Sequence, residues 1–337
     1  RLKKILLARY SSVMDFTTFI KNIKETTGVS RKFLLHDILS ILKKNEFNKS
    51  RVYKDIGEDS AAIEMDDRYL LLTTDMISSE FIKKDPFAAG YSSILVGIDD
   101  IYASGGTPLT ATLNVQAGTK EGLIKMVSGA KKAAEHFKIS ITRGHTSLKQ
   151  TSDAIACSVV GEIKKENYIS AGAAKPGDVL VIIWDKDGKR SPNGPYWNTV
   201  SFKTSDEVVK RRSTMQDLAR DHLIHASKDI SDAGLIGTAY MLINYSQVGC
   251  TIDVQRLMDV FSVDKLSSLE WWITAYLTTS FLVTMDVASL PRGRKICNQN
   301  SMEMQEIGII EKGSEFRLKL ENESAMLFDW VQNPIFP

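Results

Sequence analysis

Several carboxylates in the first half of the chain stand at the ends of apolar stretches, where a metal ion could be held. Asp75 ends the run "LLLTTD", and Asp100 stands near the end of a second run, just before a Gly-Gly-Thr-Pro turn; Glu58 and Asp59 precede a third. Short elements separate these acids, so their side chains can converge at one rim. Mg²⁺ prefers carboxylate, phosphate and water oxygens. The pattern therefore indicates a metal-phosphate site, although each acid taken singly is more typical of an ordinary turn.

The sequence lacks the common phosphate-binding and hydrolytic motifs. It contains no GxxxxGK[ST] loop, which excludes a P-loop, and no GxGxxG turn before a helix, which leaves a Rossmann site unsupported. It contains no GxSxG or HExxH motif either.

Composition narrows the classes of partner. The 337 residues are 43% hydrophobic and carry a net charge of +2, which gives no electrostatic reason to expect nucleic acid or a membrane surface as a partner. Cys157, Cys250 and Cys297 are far apart and form no CxxC pair, so neither a zinc site nor a disulfide framework is indicated. A reducing, cytoplasmic setting fits best. No apolar run reaches the roughly 18 residues that span a bilayer.

The chain starts with the basic and then briefly apolar stretch "RLKKILLARYSSVMDF". This stretch lacks the long apolar region and the small-residue cleavage site of a targeting segment. We expect a terminal extension there, with Met14 as a candidate natural start.

Local patterns predict the elements that must position the acids. Two apolar runs split by Asp66-Asp67 predict a hairpin whose second strand ends at Asp75. Residues 86–105 predict a helix with Asp85 as N-cap and Pro86 in its first position. The helix carries one apolar stripe, made of Phe87, Tyr91, Ile94, Ile98 and Ile101. Asp100 lies off this stripe, on a small polar face with Ser93, Gly97 and Ser104. A face of this kind either lets another group approach the helix closely or is exposed to solvent.

Strands and helices are mixed without strict βαβ alternation, which predicts an α+β fold. We expect a helical extension over residues 1–50, a first domain over 51–165 and a second domain over 166–330. The boundary is predicted near residues 164–175, before the buried strand of "AGAAKPGDVLVII".

Six short motifs, taken in order, resemble those of the aminoimidazole ribonucleotide (AIR) synthetase superfamily. They are "GEDSAAI", "LLLTTD", "DPFAAGYSSILVGIDDIYASGGTPLTA", "RGHTS", "KPGDVLVI" and "KDISDAGLIGTAYMLINYSQVGCTID". The superfamily includes AIR synthetase, formylglycinamidine synthetase, thiamine-monophosphate kinase, selenide water dikinase and the hydrogenase maturation carbamoyl dehydratase. The resemblance implies two α+β domains, a homodimer whose first-domain strands pair to form a barrel, and ATP in a cleft lined by acids that hold Mg²⁺.

The resemblance also implies roles for individual residues. Asp59, Asp75 and Asp100 match the acids that hold metal and phosphate. Gly144, His145 and Thr146 match a loop that faces the nucleotide phosphates, and Asp229, Ser231 and Asp232 match a motif beside the substrate pocket. We take His145 and Asp232 as the catalytic candidates, since His145 can titrate near neutral pH. The alternatives are an ordinary loop histidine and, for Ser231 or Asp232, a cap on the helix that follows.

The chain departs from the family pattern at several positions. Glu58 and Asp99 replace the usual aspartate and asparagine, and Arg143 replaces a glycine. "RGHTS" and "KDISDAGLIGT" are most similar to the AIR synthase-related proteins called methanogenesis marker 2. No reactive cysteine precedes residue 58 and no cysteine ends the chain, which disfavours the selenide and carbamoyl reactions.

We therefore expect an ATP- and Mg²⁺-dependent enzyme that activates a small molecule by phosphoryl transfer, as a kinase or a synthase. The alternative is a degenerate family member that binds a nucleotide or metabolite as a regulatory or assembly protein. We expect a cytoplasmic homodimer that binds neither nucleic acid nor membrane.

Overall fold

The computed structural model describes residues 14–43 and 51–337. The expectation for residues 1–13 therefore lies outside the described residues. The described part of the extension forms three short helices and a 3₁₀ turn: α1 (Phe16–Glu25), α2 (Thr27–Ser30), the turn Arg31–Leu34 and α3 (Leu35–Lys43).

Helix α1 is amphipathic, and Asp15 caps it by accepting a hydrogen bond from the Thr18 amide at 2.7 Å. Phe19 and Ile23 on its apolar face are fully buried in a core that otherwise belongs to residues 174–335. The extension therefore packs against the domain that comes last in the chain.

Residues 52–164 contain an open six-stranded sheet with the strand order β1-β2-β3-β6-β4-β5. Its strands are β1 (Val52–Lys54), β2 (Ala61–Glu64), β3 (Arg68–Met76), β4 (Thr107–Ala117), β5 (Ser140–Leu148) and β6 (Ala154–Lys164). The helices of this part are α4 (Ser79–Lys84), α5 (Pro86–Ala103) and α6 (Lys120–Phe137). Strands β2 and β3 pair antiparallel, which confirms the predicted hairpin, and β5 pairs parallel with β4 at one edge.

Helix α5 begins as predicted. Pro86 is its first residue, and Asp85 accepts a hydrogen bond from the Ala88 amide at 2.9 Å. The small polar face is not solvated: Ser93 is fully buried, and a Cβ added to Gly97 would lie 2.6 Å from Val159 Cγ2. Small side chains thus let the helix approach the sheet, and the solvated interpretation of this face was wrong.

Residues 179–329 contain a seven-stranded sheet with the order β10-β13-β7-β14-β11-β15-β16, beside a small sheet β12-β9-β8. The strands are β7 (Val179–Trp184), β8 (Lys189–Arg190), β9 (Tyr196–Asn198), β10 (Ala226–Asp229), β11 (Gly249–Asp253), β12 (Tyr276–Leu277), β13 (Ser280–Met285), β14 (Glu303–Glu311), β15 (Glu315–Leu320) and β16 (Glu323–Asp329). The helices are α7 (Ser205–Arg220), α8 (Gly234–Ser246), α9 (Val254–Phe261), α10 (Leu266–Thr274) and α11 (Leu290–Gln299), with 3₁₀ turns at Lys165–Asn167 and Val287–Ser289.

One continuous hydrophobic core joins the two parts. Ile98 of α5, Val159 of β6 and Val181 of β7 are all fully buried members of it. Burial on this scale fixes helix α5 between the six-stranded sheet and the second part of the chain. The residues at the end of α5 therefore face the junction between the two parts.

The two-part α+β architecture predicted from the sequence is confirmed. The six-stranded sheet does not close into a barrel within the described residues of the single chain, so pairing of its strands across a dimer stays a prediction. In residues 14–43 and 51–337, no helix is both long and apolar enough to cross a membrane.

Candidate functional site

Asp75 and Asp100 come together at the junction of the two parts. Asp75 is the next-to-last residue of β3, and Asp100 lies in the last turn of α5. The Thr73 hydroxyl donates to Asp100 Oδ2 at 2.5 Å and lies 3.4 Å from Asp75 Oδ2. A hydroxyl group has one proton and can donate it to only one carboxylate at a time. Thr73 therefore cannot give both aspartates a hydrogen bond at once.

Asp59 and Asp229 complete what we call the acid cluster, which consists of Asp59, Asp75, Asp100 and Asp229. One carboxylate oxygen from each of Asp59, Asp100 and Asp229 lies within 4.8 Å of the other two. Asp229 ends β10, where the strand meets the first part of the chain. The amide of Asp229 donates to Asp59 Oδ2 at 3.1 Å, so the two domains are hydrogen-bonded at the cluster itself.

The electrostatics of the acid cluster are strongly perturbed. Burial, followed by the charges of Asp75, Asp229 and Asp59, raises the pKa of Asp100 well above its ordinary value. Burial and the Asp59 charge do the same to the pKa of Asp229, and burial raises the pKa of Asp75. Each of these carboxyls therefore resists ionisation in the surroundings that the chain provides.

Lys228 is a cationic member of the site that the sequence argument missed. Its ammonium group pairs with Asp59, and both side chains are 6% exposed. Burial alone would lower the pKa of Lys228, but Asp59, Asp229 and Glu58 raise it, so the lysine stays charged. Its position directly before Asp229 was the available signal, although adjacent strand residues ordinarily point to opposite faces.

The residues present fit a divalent cation. The cluster offers hard carboxylate oxygens, the ligand type that Mg²⁺ takes. Among the described residues, no cationic side chain forms an ion pair with Asp75, Asp100 or Asp229. Carboxylates that converge in a partly buried site are stabilised by a cationic partner, and a bound divalent cation would supply it.

A cavity of about 790 Å³ opens above the acid cluster. Asp75, Asp100 and Asp229 lie at its floor. Its apolar walls come from the N-terminal extension and from α4 and α5, through Leu34, Leu35, Ile38, Phe81, Phe87 and Leu95. A cavity of this size, with apolar walls and convergent polar groups, is typical of small-molecule sites.

A second depression of about 490 Å³ lies elsewhere on the second part of the chain. Four of its charged residues already pair with one another, Lys186 with Glu303 and Arg256 with Glu306. The cavity above the acid cluster is the better candidate site, since three of the carboxylates that line it, Asp75, Asp100 and Asp229, converge without an ion pair among the described residues.

The N-terminal extension contributes cations to the cavity. Arg31 pairs with Asp232, and Lys32 also lines the cavity. Burial, followed by the charges of Arg31 and Lys228, lowers the pKa of Lys32. A Cβ added to Gly28 would lie 2.8 Å from the Asp232 carbonyl oxygen, so the extension runs very close to this loop. The sequence argument missed Arg31 and Lys32 because nothing in their local pattern indicates that contact.

Ser231 and Asp232 line the cavity, as the resemblance implied, but neither caps helix α8. The N-cap of α8 is Ala233, without a side-chain hydrogen bond, and the helix starts at Gly234 with a φ of +64°. The capping alternative was wrong because this positive φ, which suits glycine, reorients the chain just before the helix.

Gly144, His145 and Thr146 do not join the acid cluster within the single chain. They lie on β5, the exposed edge strand, and do not line the cavity. Strands β4 and β6 separate β5 from β3, which carries Asp75. The Ser147 hydroxyl lies 3.4 Å from His145 Nε2. The phosphate-facing role of this segment stays a prediction.

Two departures from the family pattern have structural partners. Glu58 accepts hydrogen bonds at 2.6 Å from the Ser170 hydroxyl and from the Ala171 amide. Asp99 pairs with Arg212, whose Nε donates to Asp99 Oδ1 at 2.6 Å. Both acids therefore bind groups at the junction between the two parts. Neither belongs to the acid cluster, which in each case contains the next residue of the chain.

Comparison with family models matches most of the chain. The N-terminal domain model of the AIR synthase related proteins matches residues 57–163, and the C-terminal domain model matches residues 175–321. The acid cluster draws Asp59, Asp75 and Asp100 from the first matched range and Asp229 from the second.

Two curated relatives align with more than half of this chain. An uncharacterized protein of Synechocystis is 29% identical over 281 residues, which cover 83% of this chain and 85% of that protein. Thiamine-monophosphate kinase of Aquifex aeolicus is 31% identical over 217 residues, which cover 60% of this chain and 70% of the kinase.

Solved structures share the fold. AaThiL complexed with AMPPCP and TMP matches with a TM-score of 0.61 at 22% identity, over 86% of this chain and 96% of that chain. T. maritima PurL complexed with ADP matches with a TM-score of 0.68 at 11% identity, over 89% of this chain. This chain covers 50% of that PurL chain, so it spans about half its length.

Proposed function

The chain belongs to the AIR synthase related protein family, and on this premise we propose that it is an ATP- and Mg²⁺-dependent enzyme that activates a small molecule by phosphoryl transfer. The observation that carries the proposal is a set of carboxylates that line the cavity, the half-buried Asp75 and Asp100 and the buried Asp229, none of which forms an ion pair with a cationic side chain among the described residues. Relatives named as kinases and a structural neighbour complexed with an ATP analogue support the same chemistry.

In this proposal Asp59, Asp75 and Asp100 hold Mg²⁺, which supplies charge neutralisation on the phosphates when bound. Asp229 lies within reach of the same ion, since its carboxylate converges with those of Asp59 and Asp100. Lys32 and Arg31 add positive charge at the cavity wall. These two side chains line the same cavity as the acids, and their positive charge would attract an anionic ligand there.

Asp232 remains a catalytic candidate because its carboxylate lies at the cavity with 62% of its side chain exposed. Ser231 is proposed as a polar contact for the ligand beside it. Both residues precede α8, so their positions depend on the turn at Gly234.

The proposed roles of Gly144, His145 and Thr146 depend on a homodimer, because β5 lies at an open edge in the single chain. Apolar side chains on this sheet support association: Leu72, Leu109 and Leu148 are each more than 40% exposed. Exposed apolar groups and an unpaired edge strand are features that a second copy would cover. Light scattering at micromolar concentration should therefore give a dimeric mass, and a monomeric mass would count against the dimer.

Phosphoryl transfer is tested by following ATP consumption by the purified full-length protein with a panel of small metabolites. The proposal expects Mg²⁺-dependent formation of ADP that rises with at least one acceptor. Tight nucleotide binding without turnover across the panel would favour the alternative, a nucleotide-binding regulatory or assembly protein. Absence of nucleotide binding would contradict the proposed enzyme, and binding of another metabolite would then support the alternative in its metabolite-binding form.

A further inference from the structure

Lys32 is a cation of the N-terminal extension that lines the cavity and is left unpaired by the chain itself. The residue lies in the 3₁₀ turn Arg31–Leu34 and is half-buried. Among the described residues, its ammonium group forms no ion pair and donates no hydrogen bond. By contrast Lys228, a second lysine near the acid cluster, pairs with Asp59. Lys32 therefore brings to the cavity a positive charge that no carboxylate of the described residues pairs with.

The backbone at Lys32 is fixed from both sides. The preceding residue, Arg31, pairs with Asp232 in the loop before α8. The following residue, Phe33, packs edge-on against Tyr240 of α8, with ring centroids 5.9 Å apart. Since both neighbours are bound to the second part of the chain, only the side chain of Lys32 would have to be ordered by a ligand. This lowers the entropic cost of a contact through its ammonium group.

The charges around Lys32 indicate which kind of ligand it suits. Burial, followed by the charges of Arg31 and Lys228, lowers the pKa of Lys32, while the charges of Asp229 and Asp75 act in the opposite direction. The ammonium group is thus within electrostatic reach of Asp229 and Asp75, but it forms no ion pair with either. An anion bound over the acid cluster would give it a charge-assisted hydrogen bond, which is stronger than one between neutral groups.

We propose that Lys32 binds a phosphate oxygen of the ligand, so that the N-terminal extension completes the candidate site. This inference rests on the function proposed above and deepens it. The phosphate belongs either to the nucleotide or to a phosphate-bearing small molecule, and lysine recognises both in the same way, as a point charge. The cation is then held by the acids at the floor of the cavity, and the phosphate is contacted from its wall.

Calorimetric titration of the full-length wild type and of Lys32→Met tests this contact with two ligands, Mg·ATP and inorganic phosphate in the presence of Mg²⁺. The variant should bind at least one of them more weakly by about tenfold or more, as expected for a lost hydrogen bond to a charged group. Weaker binding of Mg·ATP assigns the contact to the nucleotide, and weaker binding of phosphate alone assigns it to a phosphate-bearing small molecule. Unchanged affinity for both ligands in the folded variant would overturn the proposal.

Lys24 offers a matched control, because it is an exposed lysine of the same extension that does not line the cavity. Lys24→Met changes the net charge of the protein by the same amount as Lys32→Met. It should keep the wild-type affinity for both ligands to within about threefold, since salt screens a distant exposed charge. A loss as large as that of Lys32→Met would show that overall charge causes the effect, and the contact would be disproved.

Chemical modification of the wild type keeps the test decisive if Lys32→Met does not fold. Reductive methylation followed by mass spectrometry of the peptides measures how fast each lysine amine reacts. Saturating Mg·ATP or phosphate should suppress the methylation of Lys32 and leave that of Lys24 unchanged. Equal rates for Lys32 with and without both ligands would contradict the contact.

The outcomes separate this inference from the proposed function. If the wild type binds neither ligand, the proposed function fails, and the Lys32 proposal fails with it. If the wild type binds Mg·ATP and Asp100→Asn weakens that binding, while Lys32→Met and the methylation of Lys32 show no effect, the Lys32 proposal alone fails.

Discussion

Asp99 and Asp100 are neighbours in helix α5, yet their carboxylates lie in opposite electrostatic surroundings. Asp99 faces the fully buried Arg212, and the Thr279 amide lies 3.3 Å from its Oδ2. Asp100 is contacted by the Thr73 hydroxyl and, among the described residues, by no cationic side chain. Asp59, Asp75 and Asp229 all act on it as further negative charges.

The difference separates a structural acid from a proposed functional one. A buried charge that is paired within the chain stabilises one arrangement of the domains, and breaking the pair is costly. A buried charge left unpaired among like charges costs stability in the free protein, and such groups cluster at functional sites. The two aspartates are one residue apart, so helix geometry alone sends them to different partners.

The largest effect on folding is expected from Arg212→Met, which leaves Asp99 buried without its counter-ion. We expect the free energy of unfolding to fall by about 3–5 kcal/mol, measured by urea denaturation. The double variant Arg212→Met with Asp99→Asn should recover part of this loss, because no unpaired charge remains. A loss below about 1 kcal/mol in the single variant would show that the pair does not hold the domains together.

The acid cluster should respond to pH in the metal-free protein. Burial and the neighbouring Asp75, Asp229 and Asp59 raise the pKa of Asp100 above its ordinary 3.8. A carboxyl whose pKa is raised in the folded state binds more protons folded than unfolded. Its contribution to stability is therefore present below the unfolded pKa and is lost as pH rises through the folded pKa.

We expect the wild type in EDTA to melt at progressively lower temperature as pH rises from about 4 to about 8. Asp100→Asn should show a shallower decline, because one titrating member of the cluster is gone while Asp75 and Asp229 remain. Thermal melts across this pH range measure the difference. Parallel curves for the two proteins would mean that the pKa of Asp100 does not differ between the folded and the unfolded state.

The smallest effect concerns a buried hydroxyl next to both aspartates. Tyr276 is buried and lines the cavity, and its hydroxyl has no hydrogen-bond partner among the described residues. Tyr276→Phe should leave the free energy of unfolding unchanged to within about 0.5 kcal/mol, since no hydrogen bond is lost.

Tyr240→Phe is the matched control, because the Tyr240 hydroxyl donates to the Asn333 carbonyl at 2.8 Å and Tyr240 does not line the cavity. It should lose about 1 kcal/mol. If Tyr276→Phe were the more destabilising of the two in urea denaturation, the Tyr276 hydroxyl must have a partner in solution.

Local features of the fold could be predicted from the sequence. Asp85 and Pro86 start α5 because a cap and a fixed φ act within a few residues. The α+β architecture and the acids Asp75, Asp100 and Asp229 followed from motifs that lie within single elements. The start of α5 and the architecture are confirmed because cause and effect are close in the chain, whereas the roles of the three acids stay predictions.

Long-range partners could not be predicted in this way. Arg212 lies 113 residues from Asp99, and Lys228 lies 169 residues from Asp59, so no local pattern connects either pair. The N-terminal extension, which carries Lys32, packs against the last domain through Phe19. Only the tertiary fold brings these two segments together. The sequence alone therefore predicted neither the Lys228 partner of Asp59 nor the Arg212 partner of Asp99.

The central claim is that Asp100 holds a metal–nucleotide complex and does not serve the fold. Calorimetric titration of Mg·ATP into wild type and Asp100→Asn, with melting curves of both metal-free proteins, tests it most directly. The account predicts that the variant binds Mg·ATP more weakly by about 2–4 kcal/mol, or roughly 30- to 1,000-fold, while its metal-free melting temperature does not fall. Unchanged Mg·ATP affinity in the folded variant, or a large loss of stability without metal, would contradict it.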